Sequence, residues 1–381
     1  MDLSYSTEQI ILRDSADKFL SSRCNYSLYQ KTADAEGWSP EVWSEFAELG
    51  WLGLPFAEED GGFGAGSVEI AVLMEAFGKH LVLAPYVPTI VLGGGIVSKL
   101  GDARQRQALL GPVIEGKSRL AFAVADRGYR CEATKTASGG FVLSGTKKIV
   151  LGAPMADILL VLANVETGVG VFIVPAKATG VALRGYRTVD GGRAADVELN
   201  DVAIPREALL GGNEDAAEAI EEIIDRGIAA ISSDAVGATA ALVSATVEYT
   251  KTRVQFGLPI AKFQVLQHRM VNMKVKEEEA RASCLFATMS LDGPAGRRAR
   301  ACSGAKAKIG RMSRAVSQEA IQLHGAIGTT NELPVGGYAR RLIAYEILFG
   351  STRAHLNRYA GMISDPNIAK DGPLLDAASQ G

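Results

Sequence analysis

The chain has 381 residues, too many for one ordinary hydrophobic core, so two or three packed regions are expected. Apolar residues make up 47% and charged residues 22%, the balance of a globular protein. A formal charge of −3 lacks the basic footprint of a nucleic-acid binder, so no nucleic-acid partner is expected.

The N-terminus, Met1-Asp2-Leu3-Ser4, has no basic region followed by an apolar stretch, so a signal peptide is not expected. The first third reads as helices. Ile10, Ile11, Leu12, Ala16, Phe19 and Leu20 share a helical face over residues 8–20, with Ser6 and Thr7 as cap candidates. Trp43, Phe46, Leu49 and Leu52 predict a second helix ending at Gly50 or Gly53. Residues 69–77 and 87–100 continue the pattern. Residues 81–97 form the longest apolar stretch, but Pro85, Pro88 and Gly93-Gly94-Gly95 interrupt it. It therefore reads as buried helix ends and a turn, and no membrane span is expected. Gly61-Gly62-Phe63-Gly64-Ala65-Gly66 follows no strand, so it does not read as a dinucleotide loop.

The middle changes character. Short β-rich runs at 120–124, 141–144, 148–151, 158–163 and 169–174 are separated by glycines, with 197–199 and 202–205 as a closing strand. Such spacing predicts an antiparallel barrel or sandwich. Helical pattern returns over 216–247, 263–289, 297–323 and 338–362, which predicts a four-helix bundle. Arg297, Arg298 and Arg300 read as a solvated helix face. The expected class is α+β: an N-terminal helical domain (1–116), a central antiparallel barrel-like β-domain (117–210), a four-helix bundle (211–363) and a tail (364–381). Cys24, Cys131, Cys284 and Cys302 are scattered, and His80, His268, His324 and His355 lack ligand spacing. No metal site is expected, and a reducing cytoplasm fits.

Three segments carry a family resemblance. Arg253-Val254-Gln255-Phe256-Gly257-Leu258-Pro259-Ile260, with Phe263, Gln264 and Gln267, resembles the R-x-x-F-G-x-P-I…F-Q-x-x-Q signature of acyl-CoA dehydrogenases. Gln322-Leu323-His324-Gly325-Ala326-Ile327-Gly328 is similar to that family's Q-x-x-G-G-x-G. Tyr338-Ala339-Arg340-Arg341, running into Tyr345-Glu346-Ile347, is similar to its last long helix. The resemblance covers nearly the whole chain. It implies FAD as cofactor, an acyl-CoA substrate and an electron-transfer-flavoprotein type of acceptor. It also implies a homo- or hetero-oligomer in which Arg253 reaches the FAD of a neighbouring subunit. An arginine can pair with a pyrophosphate in bidentate fashion. Phe256, Ile260 and Phe263 would pack against the cofactor, and Gln264 and Gln322 would bond to it. Gly325 and Ala326 would let backbone approach it, and Ser351 would stand where the family has a threonine near the flavin.

The sequence departs from that family where the chemistry is done. Residues 125–130, Ala-Asp-Arg-Gly-Tyr-Arg, replace T-E-P-x-A-G-S-D. In the K-x-W-I-T-N segment, Ile149 stands for the tryptophan and Leu151 for the threonine. Phe349 occupies the position of the glutamate that removes the substrate α-proton, and phenylalanine cannot accept a proton. Asp225, which precedes Arg226, and Asp234, within an apolar helical run, are the candidate replacement bases. Glu346 reads as a structural ion-pair residue. The combined departures resemble the small subunit of heteromeric acyl-CoA dehydrogenases, such as pimeloyl-CoA dehydrogenase. In that pattern a partner chain brings the glutamate.

Overall fold

The computed structural model describes residues 4–124, 130–166, 168–212 and 215–364. Helices α1 (Thr7–Arg23), α2 (Tyr26–Asp34), α3 (Pro40–Glu48) and α4 (Ser67–Lys79) come first. A π-helical segment, Val87–Gly94, continues into α5 (Gly95–Leu100), and α6 (Ala103–Ile114) follows. The strands are β1 (Leu120–Ala123), β2 (Glu132–Lys135), β3 (Phe141–Leu151), β4 (Ile158–Val165), β5 (Gly168–Pro175), β6 (Val181–Arg187) and β7 (Arg193–Ile204). Next come α7 (Ala217–Thr252), a small hairpin of β8 (Val254–Gln255) and β9 (Leu258–Pro259), and α8 (Gln264–Ser290). The last helices are α9 (Ala295–His324), α10 (Val335–Ile347) and α11 (Thr352–Ser364). The order helices, sheet, helices is the one the sequence predicts.

Two compact units result. One gathers the chain up to Lys31, Ser67–Val82 and the helices from Ile228 onward; the other gathers Thr32–Gly66 and Leu83–Gly227.

Local chemistry explains the helix starts. Ser6 Oγ accepts from the Gln9 amide at 3.2 Å, and the Gln9 side chain accepts from the Ser6 amide at 2.9 Å. Asp102 and Gln105 repeat this reciprocal cap at the head of α6, at 2.8 and 3.1 Å. Helix α6 is not among the predicted elements, and the Asp102-x-x-Gln105 spacing is the signal that marks it. Asp102→Ala is expected to cost about 1 kcal/mol of stability by denaturant titration, because one amide at the helix head loses its acceptor.

The sequence predicts a turn at the glycine run 93–95, but the run lies within a continuous helical segment. Its lack of side chains serves packing. A Cβ on Gly94 would lie 2.3 Å from Phe56 Cζ, and one on Gly93 would lie 2.6 Å from Leu120 Cβ.

The sheet order is β1-β4-β2-β3-β7-β6, with β5 also paired to β4. Most pairings are antiparallel as expected, but β1 and β2 each meet β4 in parallel. Strands β3 and β7, each predicted as two pieces, are single strands whose register shifts between Leu143 and Gly145 and between Lys147 and Val150. Such bulges bend a strand without ending it. Phe141 and Phe172, edge to face with centroids 5.0 Å apart, sit in the core of this sheet with Leu143, Val161 and Val197.

In the other unit, α7, α8 and α9 match the predicted long helices. The fourth predicted helix, over 338–362, breaks after Ile347 and resumes at Thr352. The break has a local cause: Phe349 and Gly350 both take positive φ, 55° and 104°. Helix α7 is long and apolar enough to cross a membrane, but 78% of its most apolar window is buried in the fold. That is the signature of a core helix.

Candidate functional site

The predicted cofactor residues fall into two groups. The first gathers where α7 and α9 end. Tyr249, in the last turns of α7, stacks on His324 at the end of α9, with ring centroids 4.4 Å apart. Its hydroxyl also donates to the His324 carbonyl at 3.2 Å. This pairing joins the end of α7, which runs on into Arg253 and the hairpin, to the end of α9, which carries Gln322 and leads into Gly325 and Ala326. The hairpin is closed by the Ile260 amide donating to the Arg253 carbonyl at 2.8 Å. Phe256 sits at its tip with φ 54° and 91% exposure, and Phe263 meets it edge-on at 6.1 Å. Gln264 opens α8 and is exposed, while Ile260 is half-buried.

Gly325 ends α9 with φ 67°, and nothing lies within 4 Å of where its Cβ would be. The glycine is therefore required by the backbone angle, and no group of this chain crowds it. Arg253, Gln264 and Gln322 are exposed, as is the backbone at Gly325 and Ala326. A guanidinium, amides and bare backbone are the donor set that suits the pyrophosphate of an extended dinucleotide. These residues fit FAD. The exposed apolar tip at Phe256 is the kind of surface that a second chain or the cofactor covers.

The second group is the elbow between α10 and α11. Ser351 is exposed there, and its Oγ accepts from the Ala354 amide at 3.3 Å. It lies level with Lys306 and Gly310 on α9, so it stands ~20 Å along that helix from Gln322. The structure therefore does not bring Ser351 together with the Arg253 group within this chain. Phe349 is half-buried, and its carbonyl accepts from His355 Nε2 at 2.8 Å. Glu346 accepts from the Thr352 amide at 3.0 Å and from the Thr352 hydroxyl at 2.7 Å, so its carboxylate caps α11.

The two aspartates lie nine residues apart on α7, which is two and a half turns. Asp234 is 6% exposed and faces Arg341 of α10, with 3.6 Å between Oδ2 and Nη1. The same guanidinium donates to the Val82 carbonyl at 2.6 Å. Asp225 is fully buried. Next to it, Arg226 pairs with Glu222 at 3.1 Å, and Glu222 also meets Lys99 at 2.8 Å. These cations hold the Glu222 carboxyl below its usual value against the effect of burial.

In the sheet, Ile149 lies at the bulge of β3 with φ 54°. A β-branched residue in left-handed backbone is strained, which singles out this position. The Asp196 carboxylate holds it there, accepting from the Ile149 amide at 3.3 Å and from Lys148 at 3.0 Å. Residues 125–129, within the departing loop, lie outside the described residues, as does the tail from residue 365.

Sequence reasoning did not single out Lys306, which is fully buried beneath the elbow. Its signal is a lone cation in the small-residue run Ala301-Cys302-Ser303-Gly304-Ala305-Lys306-Ala307.

Profiles of the acyl-CoA dehydrogenase N-terminal, middle and C-terminal domains match residues 6–117, 124–202 and 217–363. The caffeyl-CoA reductase-Etf complex subunit CarC of Acetobacterium woodii is 24% identical, over 94% of this chain and 99% of its own. The probable acyl-CoA dehydrogenase YngJ of Bacillus subtilis is 27% identical, over 92% of this chain and 97% of its own. The solved structure of a variant of the Tcur3481-Tcur3483 steroid ACAD is 28% identical with a TM-score of 0.86. That likeness covers 94% of this chain and 98% of the other.

Proposed function

This chain belongs to the acyl-CoA dehydrogenase family, and on that premise we propose that it serves as one subunit of a heteromeric, FAD-dependent acyl-CoA dehydrogenase whose partner chain supplies the base. FAD is the cofactor, and when bound it supplies the hydride acceptor. Arg253, Gln264, Gln322 and the Gly325-Ala326 backbone hold part of it, and Phe256 and Phe263 shield it from water. Ser351 stands where the family has a threonine near the flavin. The reaction is removal of an α-proton and a β-hydride from an acyl-CoA thioester, and electrons leave to an electron-transfer flavoprotein.

One observation carries this reading. At the elbow the base position is Phe349, and the adjacent carboxylate, Glu346, is committed to capping α11. Asp234 is committed to Arg341. The paired designation of the Tcur3481-Tcur3483 steroid ACAD supports the same arrangement. A second reading keeps catalysis in this chain with Asp225 as base. Its complete burial favours it, since a carboxylate kept inside an apolar helical run tends to have a job.

The test is the flavin spectrum of the chain purified alone and with a co-expressed dehydrogenase-type partner. Alone, little flavin and no bleaching by an acyl-CoA panel are expected; together, full flavin and bleaching. Arg253→Ala should release flavin from the complex. A flavin-loaded assembly of this chain alone that bleaches on acyl-CoA, and stops doing so after Asp225→Ala, would establish the second reading instead.

A further inference from the structure

Lys306 has no role in the chemistry above, yet it is built into the elbow. Its Nζ donates to the Gly350 carbonyl at 3.0 Å and the Glu346 carbonyl at 3.4 Å, and lies 4.3 Å from the centre of the Tyr345 ring. One turn further along α9, Gly310 makes room for the Glu346 carboxylate; a Cβ there would sit 2.2 Å from Oε2. That carboxylate in turn holds Thr352, and His355 holds the Phe349 carbonyl. The two sides of the break are therefore tied to one face of α9. Such ties are needed, because left-handed backbone is unfavourable for a residue with a side chain such as phenylalanine.

We propose that Lys306 is the positioning residue of this elbow: its buried amine gathers the Glu346 and Gly350 carbonyls and so aims Phe349, and opening of the elbow is coupled to proton uptake by that amine. The part about Phe349 rests on the reading of residue 349 as the family's base position; the coupling does not.

The groups around Lys306 are Glu346 and Tyr345 of α10, His355 and Arg358 of α11, and Cys302 of α9. Burial pushes the Lys306 ammonium down to about 8, against an upward pull from Glu346. Burial, reinforced by Lys306, pushes His355 down to about 3, so the imidazole stays neutral above neutral pH. Burial pushes the Tyr345 hydroxyl well up, so it stays protonated. An opened elbow returns Lys306 to water and to its ordinary value of 10.5. Between about 8 and 10.5 the open form thus binds more protons, and opening becomes harder as pH rises. Below that window both forms are charged and the dependence vanishes. The neutral amine keeps two N–H donors, one for each carbonyl, so the closed elbow survives deprotonation.

Hydrogen-exchange mass spectrometry on the full chain tests this. After correction for intrinsic exchange, peptides spanning 346–355 should gain roughly twentyfold protection between pH ~7 and ~9.5, while peptides of α1 hold constant. In Lys306→Met the elbow peptides should show no such gain. Flat or falling protection in the wild type, or a gain that persists in Lys306→Met, overturns the proposal. If Lys306→Met does not fold, the wild-type comparison decides alone. No flavin, substrate or partner enters the measurement, so it can fail while the dehydrogenase reading stands, and the reverse.

Discussion

Gly237→Ala is expected to lose at least ~4 kcal/mol of stability, and the protein should accumulate as insoluble material. A Cβ at residue 237 would sit 1.9 Å from the Glu75 carbonyl oxygen and 3.0 Å from the Lys79 amide nitrogen. Reciprocally, a Cβ on Gly78 would sit 1.8 Å from the Asp234 carbonyl oxygen. Helices α4 and α7 thus cross backbone against backbone at two glycines. No side chain can rotate away, so the helices must separate by more than an ångström. That separation would also disturb Val72, Leu73 and Phe77, all buried on α4. It would strain the ion pair from Glu75 to Arg281 of α8, now at 2.6 Å. Gly111→Ala is the control. Apart from its chain neighbours nothing lies within 4 Å of its Cβ position on α6, and the following Pro112 offsets alanine's better helix propensity, so alanine there should change stability by less than about 1 kcal/mol. Urea titration followed by circular dichroism measures both. A Gly237→Ala protein within 1 kcal/mol of wild type, roughly the scale of an ordinary substitution, would show that the crossing is looser than described.

The second large effect is Asp234→Ala, with an expected loss of about 2–4 kcal/mol. The side chains of Arg341 and Asp234 are 15% and 8% exposed, so removing the carboxylate strands a cation in a place water barely reaches. The Val82 carbonyl remains as an acceptor, which keeps the cost below that of full isolation. Adding Arg341→Met should restore at least half of the loss, since a buried pair replaced by apolar groups is often neutral. This experiment also separates two roles for Asp234. A structural partner of Arg341 loses stability and is rescued by the second change. A base would lose turnover in the holo-complex with little change in stability, and Arg341→Met would rescue nothing.

Much of the fold was legible because its long elements are strongly periodic. The faces of α1, α7, α8 and α9 show in the spacing of Ile, Leu and Ala, and Gly-punctuated β-rich runs mark β1, β3, β4 and β5. Strand β6 was not legible: Val-Ala-Leu-Arg-Gly-Tyr-Arg is mostly exposed, so although it pairs with the next strand, β7, it offers no local alternation of buried and exposed residues. The parallel pairing of β1 with β4 is likewise a long-range fact with no local pattern. In the candidate site, Arg253, Phe256, Gln264 and Gln322 were legible as motif residues. Lys306 and the Arg341 partner of Asp234 were not, since burial and pairing depend on which helices meet.

Sequence alone therefore determined the order of elements, the family resemblance and the proposal that Phe349 stands at the base position, because residue identity and spacing are local properties. The tertiary structure decided how residue 349 is held. The predicted last helix is broken there, residue 349 is held left-handed, and the nearby acids are already engaged: Glu346 with Thr352, Asp234 with Arg341. The physical reason is that a carboxylate's chemistry is set by its neighbours in space. Those neighbours come from α9, α10 and α11, and only folding brings them together.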